Sequence, residues 1–124
     1  GADKTALCTD AMRGAGMPDG ESILGSLTNG QKVIIEDGVA KLPDRSAFAG
    51  SVATADRLVR TMISIAGIPL IDAIRMITLT PARILHVDSQ KGSLEEGKDA
   101  DIVIFDNQIN VTTTISKGHV IYNQ

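Results

Sequence analysis

An apolar run that ends on a carboxylate most constrains how this chain can fold. Residues 5–9 (TALCT) predict a buried β-strand, and Asp10 closes it before a glycine-rich loop over residues 11–20. Parallel α/β sheets and barrels place catalytic groups at the carboxyl ends of their strands, so Asp10 is a candidate catalytic residue. The alternative is an aspartate that only begins a turn, which is a common use of this residue.

Composition excludes several classes of function. The 124 residues are 43% hydrophobic and 22% charged, which indicates one modest globular domain. A net charge of −3 without a basic cluster argues against a nucleic-acid or anionic-membrane partner, and the scarcity of aromatic residues argues against base stacking. The single cysteine, Cys8, forms no internal disulfide and is expected to be a small buried residue. No signal peptide or long apolar stretch is present, so a cytoplasmic location is expected.

Periodicity predicts a strand, a hairpin, three helices and a β meander, in that order. Asp37 and Gly38 separate the β-rich residues 31–36 and 39–42, and an Asp-Gly pair at that place is a strong hairpin signal. Residues 43–50 are expected to form a loop. The helices are predicted over residues 54–66, from Pro69 to residue 77, and from Pro81 to residue 85 with Thr80 as its N-cap. Strands are predicted over residues 102–105 (buried on both faces), 111–116 and 119–122.

The first predicted strand has no parallel partner within the chain. A full (β/α)8 barrel takes about 250 residues, so this strand is expected to belong to a barrel of which the chain is the tail end. Residues 21–42 and 100–122 are expected to pair into a separate small sheet or sandwich.

Five short motifs together resemble the N-acetylglucosamine-6-phosphate deacetylases. They are residues 9–12 (TDAM), 16–20 (GMPDG), 48–51 (FAGS), 80–83 (TPAR) and 92–101 (GSLEEGKDAD). The last two occur widely in metal-dependent amidohydrolases, whereas the first and third, at this spacing, are typical of the deacetylases. The resemblance covers essentially the whole chain, but only the C-terminal third of such an enzyme.

The resemblance implies a fold and an activity. The fold is α/β, a (β/α)8 barrel beside a β-sandwich built from both chain ends. The reaction removes acetate from N-acetylglucosamine 6-phosphate and leaves glucosamine 6-phosphate. A divalent metal, zinc or iron, is held by residues of earlier strands, and the aspartate closing the last strand takes the proton of water and passes it to the amine. By position that aspartate is Asp10, and the substrate-binding residues are Phe48, Ala49, Gly50 and Ser51.

Four segments follow from this resemblance. Residues 1–20 are the last barrel strand and active-site loop, and residues 21–42 are a β-hairpin of the small β domain. Residues 43–90 are the second active-site loop and the C-terminal barrel helices, and residues 91–124 are the β meander of the small domain. The partners implied are a small-molecule amino sugar phosphate and further copies of the chain in a homo-oligomer.

The chain itself lacks the family's metal ligands. Its two histidines, His86 and His119, match none of them and are expected to be solvated. No metal is therefore expected on this chain alone, and alone it is expected to be inactive. Two alternatives stay open: another amidohydrolase, dihydroorotase-like or deaminase-like, and a non-catalytic, self-associating β-rich module.

Overall fold

The computed structural model describes residues 1–124, which divide into two compact units. The first, called the 8–57 unit, contains residues 8–57. The second, called the helical unit, contains residues 1–7 and 58–124. None of the helices has the length and apolar character needed to span a membrane.

A four-stranded antiparallel sheet forms the frame of the 8–57 unit. Its strands occur in chain order: β1 (Gly20–Leu24), β2 (Gln31–Glu36), β3 (Val39–Lys41) and β4 (Phe48–Gly50). The predicted hairpin is confirmed, with Asp37 and Gly38 at φ values of 54° and 72° between β2 and β3. The predicted loop over residues 43–50 is wrong at its end, because β4 pairs with β3 there.

The core of the 8–57 unit follows from the alternation along β2. Val33 and Ile35 point to the same face and are 1% and 4% exposed, as the two-residue period of a strand requires. They pack in one buried apolar cluster with Met12, Ala40, Ala49 and Val52. Met12 and Ala49 therefore attach the segment after Asp10 and strand β4 to the same core.

The helical unit combines three helices with a three-stranded sheet. The helices are α1 (Ala55–Ser64, which contains the division between the units), α2 (Leu70–Ile77) and α3 (Leu79–Ile84). The predicted meander is confirmed by the antiparallel order β5 (Ile102–Phe105), β6 (Val111–Ser116) and β7 (His119–Asn123). Val59, Ala73 and Ile109 form the buried cluster of this unit.

The strand predicted over residues 5–9 is wrong. A turn of 3-10 helix, Ala2–Lys4, precedes a segment without regular structure, in which Leu7 donates its N–H to the Met76 carbonyl at 2.8 Å. A strand needs a ladder of such bonds to a neighbour, and one bond does not make a ladder. Cys8 is exposed rather than buried.

Three further predictions are wrong. Helix α3 begins at Leu79, with Thr78 at the N-cap position, whereas Thr80 is 1% exposed and donates its hydroxyl to the Ala2 carbonyl at 2.6 Å. Residues 102–105 are not buried on both faces, since half of the Val103 and Ile104 surfaces is exposed. Residues 21–42 and 100–122 form two sheets rather than one; their packing as a sandwich stays a prediction.

Candidate active site

A depression of about 590 Å³ on the 8–57 unit collects most of the predicted site residues. Asp10 lines it together with the three residues of strand β4. Its lining residues are Asp10, Ala11, Met12, Leu24, Gln31, Leu42, Phe48, Ala49 and Gly50. Ser51, the remaining predicted substrate-binding residue, does not line it.

Asp10 reaches the depression from an irregular segment rather than from the end of a strand. Its backbone has a φ of 44°, a left-handed value that aspartate tolerates better than most residues. The next residue, Ala11, forms an isolated parallel bridge with Ser51. Met12 then donates its N–H to the Ser51 carbonyl at 2.9 Å. The carboxylate is therefore placed by its attachment to the end of β4.

Strand β4 presents alternate residues to the core and to solvent. Ala49 is 8% exposed and belongs to the core, whereas Phe48 is 78% exposed. Gly50 has a φ of 136°, which favours glycine. A side chain there would also lie 3.5 Å from Leu24 and 3.6 Å from Met12, in the depression. This short strand thus offers an aromatic ring and an open backbone to a ligand.

Gln31 is the lining residue that the sequence analysis missed. It lies at the start of β2, is exposed, and with Asp10 supplies the polar side chains of an otherwise apolar lining. A glutamine at the beginning of a strand is ordinary on a protein surface, so its sequence position carries no signal. Only the approach of β2 to the Asp10 segment places it in the site.

A cluster of charges holds the chain between β2 and β4. The Arg45 guanidinium contacts the Glu36 carboxylate at 2.8 Å, and Lys41 lies 3.2 Å from the same carboxylate. Hydrogen bonds from Arg45, and then from Lys41, lower the pKa of Glu36 below its ordinary range. Leu42 also donates its N–H to the Ala47 carbonyl at 2.9 Å, which closes the loop before Phe48.

The described residues do not form a metal centre. No group of three or more His, Cys, Asp or Glu side chains comes together in residues 1–124, whereas a zinc site needs three or four converging protein ligands. His86 and His119 are both exposed.

Comparison with known proteins places this chain in a family. The amidohydrolase family matches residues 5–121, and the chain belongs to that family. Three relatives of the chain are named as deacetylases of amino sugar phosphates. The resemblance stated from the motifs is thereby confirmed.

Two relatives from Escherichia coli are each 39% identical over 118 residues, which are 95% of this chain. They are a candidate N-acetylgalactosamine-6-phosphate deacetylase of strain K12 and an N-acetylgalactosamine-6-phosphate deacetylase of strain O157:H7. The chain spans 68% of the first and 30% of the second. The N-acetylglucosamine-6-phosphate deacetylase of Lysinibacillus sphaericus is 41% identical over 120 residues, 97% of this chain and 30% of that protein.

A solved structure shows the same fold. It is an aspartate-to-alanine mutant of the N-acetyl-D-glucosamine-6-phosphate deacetylase from Mycobacterium smegmatis, in complex with N-acetyl-D-glucosamine-6-phosphate. The match has a TM-score of 0.85 and 31% identity, and it covers 99% of this chain and 32% of that one. The α/β class is thus established, with two small sheets and three helices.

Proposed function

We propose that this chain carries the proton-transferring carboxylate and one wall of the sugar pocket of an N-acetylhexosamine-6-phosphate deacetylase, with N-acetylglucosamine 6-phosphate as substrate. One observation carries the proposal: the Asp10 carboxylate and the exposed Phe48 ring line one depression. Membership of the amidohydrolase family and the names of the relatives support it.

The reaction needs a group that both takes and gives a proton. Water attacks the amide carbonyl, and the carbon–nitrogen bond then breaks to release acetate and the free amine. An ionised carboxylate accepts the proton of the water, and the resulting carboxylic acid donates it to the leaving nitrogen. Asp10 is exposed at the depression and is the only carboxylate among its lining residues.

The other residues that line the depression are proposed to bind the sugar. Phe48, Ala49 and Gly50 contact the substrate, and the amide of Gln31 offers both a donor and an acceptor to a sugar hydroxyl. A mostly apolar lining with a few polar groups is typical of small-molecule sites.

We also propose how the segments of this chain contribute to the fold of the complete protein. Residues 1–20 contribute an active-site loop, residues 43–90 contribute a second active-site loop and the C-terminal helices of a barrel, and residues 21–42 and 91–124 contribute a small β domain. Family members generally use a divalent metal; its ligands would lie in parts of the relatives that this chain does not match. The 124-residue chain alone is then inactive, and the complete protein is a homo-oligomer.

N-acetylgalactosamine 6-phosphate is the second candidate substrate. The two Escherichia coli relatives favour it, because their identity of 39% is close to the 41% of the Lysinibacillus sphaericus protein. The two sugars differ only in the configuration at C4.

Acetate release decides between these possibilities. The complete gene product is assayed with N-acetylglucosamine 6-phosphate and with N-acetylgalactosamine 6-phosphate. Dihydroorotate and an aminopurine are the control substrates for other amidohydrolase activities. Faster acetate release from the glucosamine derivative supports the first proposal, and faster release from the galactosamine derivative supports the second. Turnover of only the control substrates contradicts both. Acetate release by the 124-residue chain with zinc or iron added contradicts its proposed inactivity.

A further inference from the structure

We propose that Ser51 positions Asp10 and does not contact the substrate. This inference rests on the proposed function, and it replaces the substrate-binding role that the resemblance implies for Ser51. Ser51 follows β4 directly but does not line the depression that contains Phe48, Ala49 and Gly50.

Ser51 is engaged on both sides by the protein itself. Its hydroxyl oxygen accepts a hydrogen bond from the Ala53 N–H at 3.1 Å, which closes a short turn immediately after β4. Its carbonyl oxygen accepts the Met12 N–H at 2.9 Å, and its backbone forms the parallel bridge with Ala11. The side chain is half-buried in this arrangement.

These contacts link the turn to the carboxylate. Among backbone hydrogen bonds, the one from Met12 to Ser51 joins the segment around Asp10 to the end of β4. The orientation of the Ser51 peptide therefore sets where Asp10 lies relative to Phe48. The Ser51 hydroxyl stabilises that orientation through its hydrogen bond with the Ala53 N–H, on the C-terminal side of the peptide. Small displacements of a proton-transferring group cost rate rather than affinity.

Substitutions at Ser51 separate positioning from contact. In the complete gene product, Ser51→Ala lowers kcat for acetate release about tenfold and leaves KM within about twofold, since the loss falls on the chemical step. Ser51→Thr and Ser51→Asn keep an oxygen acceptor for the Ala53 N–H and retain most of kcat. Asparagine is too large to reproduce a direct hydroxyl contact, so the same variant loses affinity if Ser51 touches the substrate.

The matched control is Ser26→Ala. Ser26 makes the same kind of turn, accepting the Thr28 N–H on its hydroxyl at 3.2 Å, but its carbonyl accepts the Gly30 N–H at 2.7 Å rather than a donor of the segment around Asp10. Kinetic constants close to those of the wild type are expected for this variant. An equal loss of kcat in both alanine variants overturns the proposal, because any such turn would then have the same effect.

Hydrogen exchange tests the positioning without using activity. Peptides covering residues 8–17 are followed by mass spectrometry in the complete gene product, and faster exchange at Met12 is expected in Ser51→Ala but not in Ser51→Thr. Unchanged exchange, or a raised KM with an unchanged kcat, overturns the proposal. If Ser51→Ala does not fold, the kcat and KM of the threonine and asparagine variants decide. If the wild type releases no acetate, the proposed function fails while the exchange result still decides the positioning.

Discussion

Gly92 lies against Ala82, so that a Cβ atom on residue 92 would come within 2.7 Å of the Ala82 Cβ and 3.0 Å of the Leu79 Cα. Two of the motifs behind the resemblance, TPAR and GSLEEGKDAD, therefore meet at this contact. Gly92 also has a φ of 90°, which glycine adopts without strain. Helix α3 and the following turn pack closely because neither residue carries a larger side chain.

The first prediction is that Gly92→Ala destabilises the protein. Its backbone strain costs about 1–2 kcal/mol, and overpacking against α3 adds about 1–3 kcal/mol. Gly97→Ala is the matched control, because Gly97 has a φ of 89° and open space around the position of a Cβ. Urea unfolding measures the free energy of unfolding of both variants. An equal decrease in the two would show that the close contact with Ala82 does not contribute to the loss.

Asp10→Asn is expected to lower the rate of acetate release by about 10²–10⁴-fold, because the amide neither accepts nor donates the required proton. Steady-state kinetics of the complete gene product measure the effect, with Asp19→Asn as control. Asp19 is an exposed carboxylate in the same loop that does not line the depression. A rate above about a tenth of the wild-type value would exclude the acid/base role.

Phe48→Ala is expected to raise KM for the sugar phosphate about tenfold while kcat changes less, because the ring supplies apolar contact area to the bound sugar. Leu27→Ala removes another exposed apolar side chain of the same unit, 70% exposed and outside the depression. No change in KM is expected there. The same KM in the Phe48 variant and the wild type would remove Phe48 from the binding site.

Asp106 is expected to make the stability of the helical unit depend on pH. Its carboxylate accepts the backbone N–H of Asn110 at 2.9 Å and that of Gln108 at 2.8 Å, and it fixes the turn that carries the buried Ile109. The bonds from Asn110, first its backbone N–H and then its side-chain amide, lower the pKa of Asp106. The ionised form is therefore stabilised by folding.

The sign of the pH effect follows from that direction. A lowered pKa contributes stability above the unfolded-state value, and the contribution is lost as pH falls through the folded-state value. Asp106→Asn should therefore melt below the wild type at about pH 7, and the difference should shrink in acid. Thermal melts across pH measure it. The control is Asp88→Asn, which removes the charge of another aspartate, half-buried, in the same unit. A difference that is independent of pH would contradict the assignment.

The sequence predicted an element correctly where residues within that element determine its structure. The Asp37–Gly38 turn requires positive φ at both positions, and the apolar stripe of α1 has a helical period, so both elements follow from neighbouring residues. The meander of β5 to β7 is equally local. The motifs also sufficed to indicate the amidohydrolase family.

Tertiary structure decided what depends on distant partners. Residues 5–9 have the composition of a strand but do not pair with a neighbouring strand. The Thr80 hydroxyl donates a hydrogen bond to the Ala2 carbonyl instead of capping a helix. The resemblance nominated Asp10 and the residues of β4, but their common depression and the inclusion of Gln31 depend on how β2, β4 and the Asp10 segment pack. The sequence by itself determined the family, the β2–β3 hairpin, the helical region and the meander, because periodicity, turn chemistry and motifs are local. The arrangement of the candidate site was decided by hydrogen bonds and burial between residues far apart in the chain, which no local pattern encodes.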